Sequence, residues 1–103
     1  MAKWTFITNH GLVLSYITRH PKSTARVIAQ AAGITERTAH KIIAELEEAG
    51  YIARKRVGRQ NRYQINVNLS LRHPSHDEVA VGELIQVLKW RGAEVAKEQM
   101  KLL

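Results

Sequence analysis

Residues 33–46, GITERTAHKIIAEL, constrain this chain more than any other stretch. Gly33 supplies a residue able to end a preceding helix in the left-handed region, Ile34 can plug the corner, and Thr35 can cap the next helix by accepting a bond from a free first-turn N–H. Ala39, Ile42, Ile43 and Leu46 then recur at the three- and four-residue spacing that gathers side chains on one side of a helix, while Arg37, Thr38, His40, Lys41 and Glu45 point elsewhere. The spacing predicts a helix with a buried stripe and a polar face near its start. An ordinary amphipathic helix carries the same stripe, so its neighbours decide its role.

Upstream, Asn9 is the expected cap of a first helix whose Leu12, Val13, Tyr16 and Ile17 form an inward stripe. Pro21 stops it, because the residue before a proline avoids helical geometry. Ser23 or Thr24 opens a short second helix in which Val27, Ile28 and Ala31 should face inward and Arg26 and Gln30 outward. Its free N–H groups, with Lys22 and Arg26 nearby, suit an anion. Ala29 is the small side chain that two helices joined by so short a turn require where they cross. Downstream, Gly50 is the expected left-handed cap of the third helix.

Two runs follow, residues 51–57 and 62–68, rich in β-branched and aromatic residues and separated by Gly58-Arg59-Gln60-Asn61. In the second run Tyr63, Ile65 and Val67 alternate with Gln64, Asn66 and Asn68, so the pair predicts a β-hairpin. Residues 54–62 hold five cations, Arg54, Lys55, Arg56, Arg59 and Arg62, and no acid.

Helix, helix, turn, helix and basic hairpin together resemble a winged helix-turn-helix DNA-binding domain of the MarR, ArsR and IclR types of transcriptional regulator. The resemblance covers residues 10–68 and rests on Ile28, Ala29, Ala32, Gly33, Ile34, Ala39 and Ile42, followed by Leu46-x-x-x-Gly50-Tyr51-Ile52-x-Arg54. The expected fold class is mainly α with a small β-hairpin wing (α+β), a three-helix core plus a C-terminal helix. The resemblance implies readout of the major groove by the exposed side of residues 35–45, and backbone or minor-groove contacts from the wing.

Base contacts are expected from Arg37, Thr38, His40 and Lys41. Arg37 leads, because it lies one turn from the helix start and its guanidinium can bond guanine O6 and N7 together. Backbone or minor-groove contacts are expected from Ser23, Thr24, Arg26, Thr35, Lys55, Arg56, Arg59, Gln60, Asn61 and Arg62.

Residues 69–76, which include Pro74, read as a linker that closes a DNA-binding domain over residues 1–76. Asp77 or Ser75 is then expected to cap a last helix over about residues 78–101, a dimerisation element within residues 77–103. Val81, Leu84, Ile85, Leu88 and Val95 line one face and Trp90 another, so the helix is apolar on two sides and suits a second copy. Trp4 and Phe6, in an unusually apolar first segment, join them as expected dimer-interface residues. Gly82 and Gly92 weigh against a continuous helix, each costing roughly 1 kcal/mol relative to alanine.

The chain of 103 residues holds 16 Lys and Arg against 9 Asp and Glu, and the first 76 residues are net +8 while the remainder are net −1. A basic body before a near-neutral tail suits a polyanion-binding module followed by an element that meets protein. Without cysteine there is no disulfide or thiolate metal site. No cofactor is expected. His73 and His76, beside Asp77 and Glu78, come nearest to a metal site but straddle a proline. No nucleophile–base arrangement, glycine-rich phosphate loop or paired inward carboxylates can be drawn, so no enzyme is expected. No stretch reaches the roughly 20 apolar residues of a membrane span, and the start, MAKWTF, lacks a signal peptide's apolar stretch, so a cytosolic protein is expected.

The sequence thus leads to a small dimeric regulator binding double-stranded DNA, with its effector unassigned. The alternative is a winged-helix module docked on another protein in a larger complex. RNA binding is disfavoured, since only Tyr51 and Tyr63 lie near the wing as stacking residues.

Overall fold

The structure, a computed structural model, describes residues 4–88. Four helices and one antiparallel hairpin follow in the order α1 (Asn9–Arg19), α2 (Ala25–Ala32), α3 (Glu36–Glu48), β1 (Ile52–Val57), β2 (Gln60–Ile65) and α4 (Val81–Leu88), with a single 3₁₀ turn at Pro74–His76 before the last. This is the winged helix-turn-helix arrangement the sequence predicts.

Threonine opens each of the first three helices. Thr8, and not Asn9, caps α1 by accepting from the Gly11 N–H; Thr24 caps α2 and Thr35 caps α3 in the same way. Asn9 is the first helical residue because the extended residue ahead of it already presents a hydroxyl. Both α2 and α3 end on the same device. Gly33 has φ 72° and its successor Ile34 donates to the Ala29 carbonyl at 3.0 Å, while Gly50 has φ 89° and Tyr51 donates to the Leu46 carbonyl at 3.0 Å. In each, the glycine takes up the left-handed residue and the next apolar side chain turns back onto the helix it has just left.

The core gathers Val13, Leu14 and Ile17 of α1, Ile28 of α2, and Ile42, Ile43 and Leu46 of α3, with Tyr51, Ile52 and Tyr63 from the hairpin and Val81 and Ile85 from α4. Ala29 is buried at the crossing of α2 on α3, as its size predicts. The α2 stripe is rotated from the expected one: Val27 and Ala31 are exposed, and Ile28 and Ala29 are inside. In α1, Leu14 and Ser15 are buried while Leu12 and Tyr16 are half-buried. An eight-residue helix presents so few apolar positions that periodicity alone leaves its rotation loosely fixed.

The hairpin turns more tightly than expected. Val57 pairs with Gln60, so the loop is Gly58-Arg59 alone, and Gln60 and Asn61 belong to β2. Gly58 has φ 64° and no non-glycine residue has positive φ among the described residues, the sign pattern of a type II′ turn, which needs glycine first. Strand β2 ends at Ile65, so Val67 lies outside it and is exposed. The Tyr63 N–H donates to the Pro21 carbonyl at 2.9 Å, lashing the hairpin to the turn between α1 and α2.

Residues 69–76 are not a free linker. The Tyr51 hydroxyl donates to the Ser70 carbonyl at 2.6 Å, Ser70 pairs with Ala80, and Val81 and Gly82 donate to the Leu69 and Val67 carbonyls. Their polarity conceals two apolar anchors, Leu69 and Leu71, which pack on the core. The last helix therefore starts at Val81, not near residue 78. Its entry is fixed by Glu83, which accepts from the Ala80 N–H at 2.9 Å, while Ser75 lies in the 3₁₀ turn and Asp77 ends it. A side chain at Gly82 would meet the Val67 backbone oxygen at 2.8 Å, so the glycine that weakens the helix is what lets the returning chain approach.

Candidate nucleic-acid interface

The polar face of α3 is free. Arg37, His40 and Lys41 are exposed, while their neighbours Ala39, Ile42 and Ile43 hold the helix to the core. Thr38 is half-buried and engaged with the cap: its N–H donates to Thr35 Oγ1 at 3.1 Å and its hydroxyl accepts from that of Thr35 at 2.9 Å. The two threonines stiffen the first turn, the one carrying Arg37.

His40 faces the hairpin across a cleft of about 210 Å³ lined by Lys22, Ser23, Thr24, Ala25, Arg54, Arg59, Gln60, Asn61 and Tyr63. The cleft joins the start of α2, the wing and, from α3, His40 alone, so Arg37, Thr38 and Lys41 lie outside it. Five expected backbone contacts, Ser23, Thr24, Arg59, Gln60 and Asn61, meet there with the expected base contact His40. Lys22, Arg54 and Tyr63 are additions to that set. The adjacency of Lys22 to the Thr24 cap was the signal for the first, whereas cross-strand register, fixed only by the turn, brings in the other two. Arg26 is exposed on α2 but does not line the cleft.

The hairpin divides its cations between two faces. Pairs Ile52–Ile65, Arg54–Tyr63 and Arg56–Asn61 lie on the side that carries the core, and pairs Ala53–Gln64, Lys55–Arg62 and Val57–Gln60 on the other. Arg54 Nη2 donates to Glu47 Oε1 of α3 at 3.1 Å, so one of the five cations is already paired. Burial pushes the Tyr63 hydroxyl above its usual pKa, partly opposed by the Arg54 charge beside it.

At the other end of the domain, His10 Nε2 and Glu45 Oε1 lie 3.1 Å apart, tying the head of α1 to α3. Beside them is an apolar-floored hollow of about 370 Å³ lined by residues that include Gly11, Leu14, Leu71, Arg72, Val81 and Leu84. The residues expected at a dimer interface fall into three groups. Trp4 and Phe6 are exposed, their rings in edge-to-face contact with centroids 5.1 Å apart. Val81 and Ile85 are covered by their own domain, Leu88 is half-buried against it, Leu84 is half-buried and lines the hollow, and Trp90 and Val95 lie outside the described residues. The His73 and His76 rings lie with centroids 5.8 Å apart at a 46° tilt, and His73 Nδ1 accepts from the Ser75 N–H at 3.1 Å. No group of three His, Asp or Glu placed to hold a metal occurs among the described residues, and no described helix is long and apolar enough to cross a membrane.

A model of the MarR family matches residues 6–62, the span from the head of α1 through the start of the second wing strand. Among solved structures, MepR, a transcription regulator of the Staphylococcus aureus multidrug efflux pump MepA, is 21% identical, with 94% of this chain and 76% of that chain covered and a TM-score of 0.51. The PcaV transcriptional regulator from Streptomyces coelicolor, in complex with its natural ligand, is 15% identical over 98% of this chain and 74% of that chain, with a TM-score of 0.48. No curated protein sequence matches.

Proposed function

Since the chain belongs to the MarR family of winged helix-turn-helix regulators, we propose that it is a transcription regulator that binds double-stranded DNA as a homodimer. In this account α3 enters the major groove, Arg37 reads a base edge with Lys41 and His40 beside it, and Thr38 holds the first turn in shape. Lys22, Arg59, Gln60 and Asn61 grip the sugar-phosphate backbone from the cleft. One observation carries the reading: His40 on the polar face of α3, the start of α2 and the basic hairpin border a single cleft. Within residues 77–103 the side chains other than the core residues Val81 and Ile85, with Trp4 and Phe6, are assigned to the contact between copies, which two-fold symmetry would turn into two half-sites.

The test is the salt dependence of duplex binding. Log K should fall against log salt with a slope of about −5 or steeper, from roughly six phosphates neutralised by a dimer at about 0.9 each. Failure to bind any duplex at low salt would overturn the proposal. The exposed Trp4–Phe6 pair favours a second reading, a module docked on another protein. Sedimentation separates the two, since a persistent monomer favours the second.

A further inference from the structure

Tyr51 stands where α3, the wing and the chain returning to α4 meet. Its N–H donates to the Leu46 carbonyl in the last turns of α3 at 3.0 Å, and its carbonyl accepts from the Asn66 N–H just beyond β2 at 2.9 Å. Its hydroxyl donates to the Ser70 carbonyl at 2.6 Å. Ser70 in turn pairs with Ala80, the Leu71 N–H donates to the Val79 carbonyl at 2.9 Å, and the Val81 N–H donates to the Leu69 carbonyl at 2.7 Å. Residues 69–71 and 79–81 thus make a short antiparallel strap that ends in the first residue of α4. The Tyr51 side chain is buried in the cluster that also holds Val81 and Ile85. Among the described residues, its hydroxyl is the one side-chain group that hydrogen-bonds the strap to the helix-turn-helix and wing.

We infer that Tyr51 is a positioning residue: through the strap it sets the angle of α4 against α3, and with it the half-site spacing that a dimer accepts. The inference rests on the dimeric DNA-binding reading and deepens it. The chemistry of the bond suits the task. Apolar packing of the ring is non-directional, whereas a short hydroxyl–carbonyl bond fixes direction as well as distance. Leu69 and Leu71, on either side of Ser70, pack on the core, so the hydroxyl acts on a backed segment. Two-fold symmetry doubles any displacement of α4 on its own domain. With base pairs about 3.4 Å apart, a shift of about 1.7 Å in each protomer moves the two copies of α3 out of register by one base pair.

Three variants of the whole chain test this. Tyr51→Phe removes only the hydroxyl, Leu71→Ala loosens the strap at a second point, and Ile28→Val, in the core of α2 and outside this path, controls for lost stability. Each is titrated with duplexes carrying the two half-sites enriched from random duplexes, at the enriched spacing and with one base pair added or removed, and with a single half-site. Wild type should prefer the enriched spacing by about tenfold or more, the scale of one lost base contact, and Tyr51→Phe and Leu71→Ala by about threefold or less. Both should bind the single half-site as wild type does and sediment as dimers, while Ile28→Val should keep the wild-type preference. A preserved preference in Tyr51→Phe, an equal loss on the single half-site, dissociation to monomers, or a flattened preference in Ile28→Val would each overturn the inference. Failure of the DNA reading would instead leave the wild type without duplex binding, and failure of the dimer reading would leave it without a spacing preference.

Discussion

Arg54 of the wing and Glu47 of α3 meet at 3.1 Å, so the hairpin is held to the helix it flanks by an ion pair at the edge of the candidate interface. Each side chain is more than a third exposed, and such a pair contributes under about 1 kcal/mol to folding. Its effect on binding is the larger one, because Glu47 cancels a cation that lines the cleft. Glu47→Gln should leave urea unfolding within about 1 kcal/mol of wild type, tighten duplex binding at low salt and steepen its salt slope. Fluorescence anisotropy across a salt series measures both.

Two glycines should respond to alanine for different reasons. At Gly33 an added Cβ meets nothing within 4 Å but φ is 72°, so the cost is conformational, about 1–2 kcal/mol. At Gly82 an added Cβ falls 2.8 Å from both the Val67 Cβ and its carbonyl oxygen. Helix propensity alone would make Gly82→Ala stabilising by about 1 kcal/mol, yet overpacking of about 1–3 kcal/mol opposes it. A net loss in denaturant unfolding is expected, and a gain would mean that α4 does not dock as described.

These glycines mark how far the sequence could be read. Gly33 and Gly50 were legible because a left-handed cap leaves a local signature, and the buried stripe of α3 because 13 residues give its period room. Gly82 read only as a weak point in a helix, since its partner Val67 is brought to it by tertiary packing. The sequence suggests a wing tip two residues too long because Asn61 is a turn-forming residue by type and Gln60 is neither β-branched nor aromatic, and the register that makes them strand residues depends on Gly58. Of the site, the cations and the polar face of α3 were legible. Their division between two faces, and the withdrawal of Arg54 into an ion pair, were not, because both depend on contacts across strands and between elements.

Alkaline pH should weaken the fold through Tyr63. Burial raises its pKa in the folded protein, so the folded state retains a proton that the unfolded state loses above about pH 10. Stability from this group is complete below that pH and declines as pH rises from there through the raised folded value. Tyr63→Phe should flatten this part of the stability–pH curve, read by urea unfolding between about pH 9 and 11.

Arg37 and Arg59 should fail differently. Arg37→Ala should cost roughly 1–3 kcal/mol on a preferred duplex and blur one base position. Arg59→Ala should weaken preferred and scrambled duplexes alike and reduce the salt slope by about 1 per protomer. Competition binding with the two duplexes separates the outcomes, and a uniform loss for Arg37→Ala would reassign it to the backbone.

Selection of bound sequences from a pool of random duplexes tests whether residues 33–46 make a two-fold DNA reader. Enrichment of a split motif with two inverted half-sites, one for each copy of α3, is expected, with one position of each half-site blurred when Arg37 is replaced by alanine. A pool that emerges unenriched, with duplex binding undetectable at low salt, would contradict it.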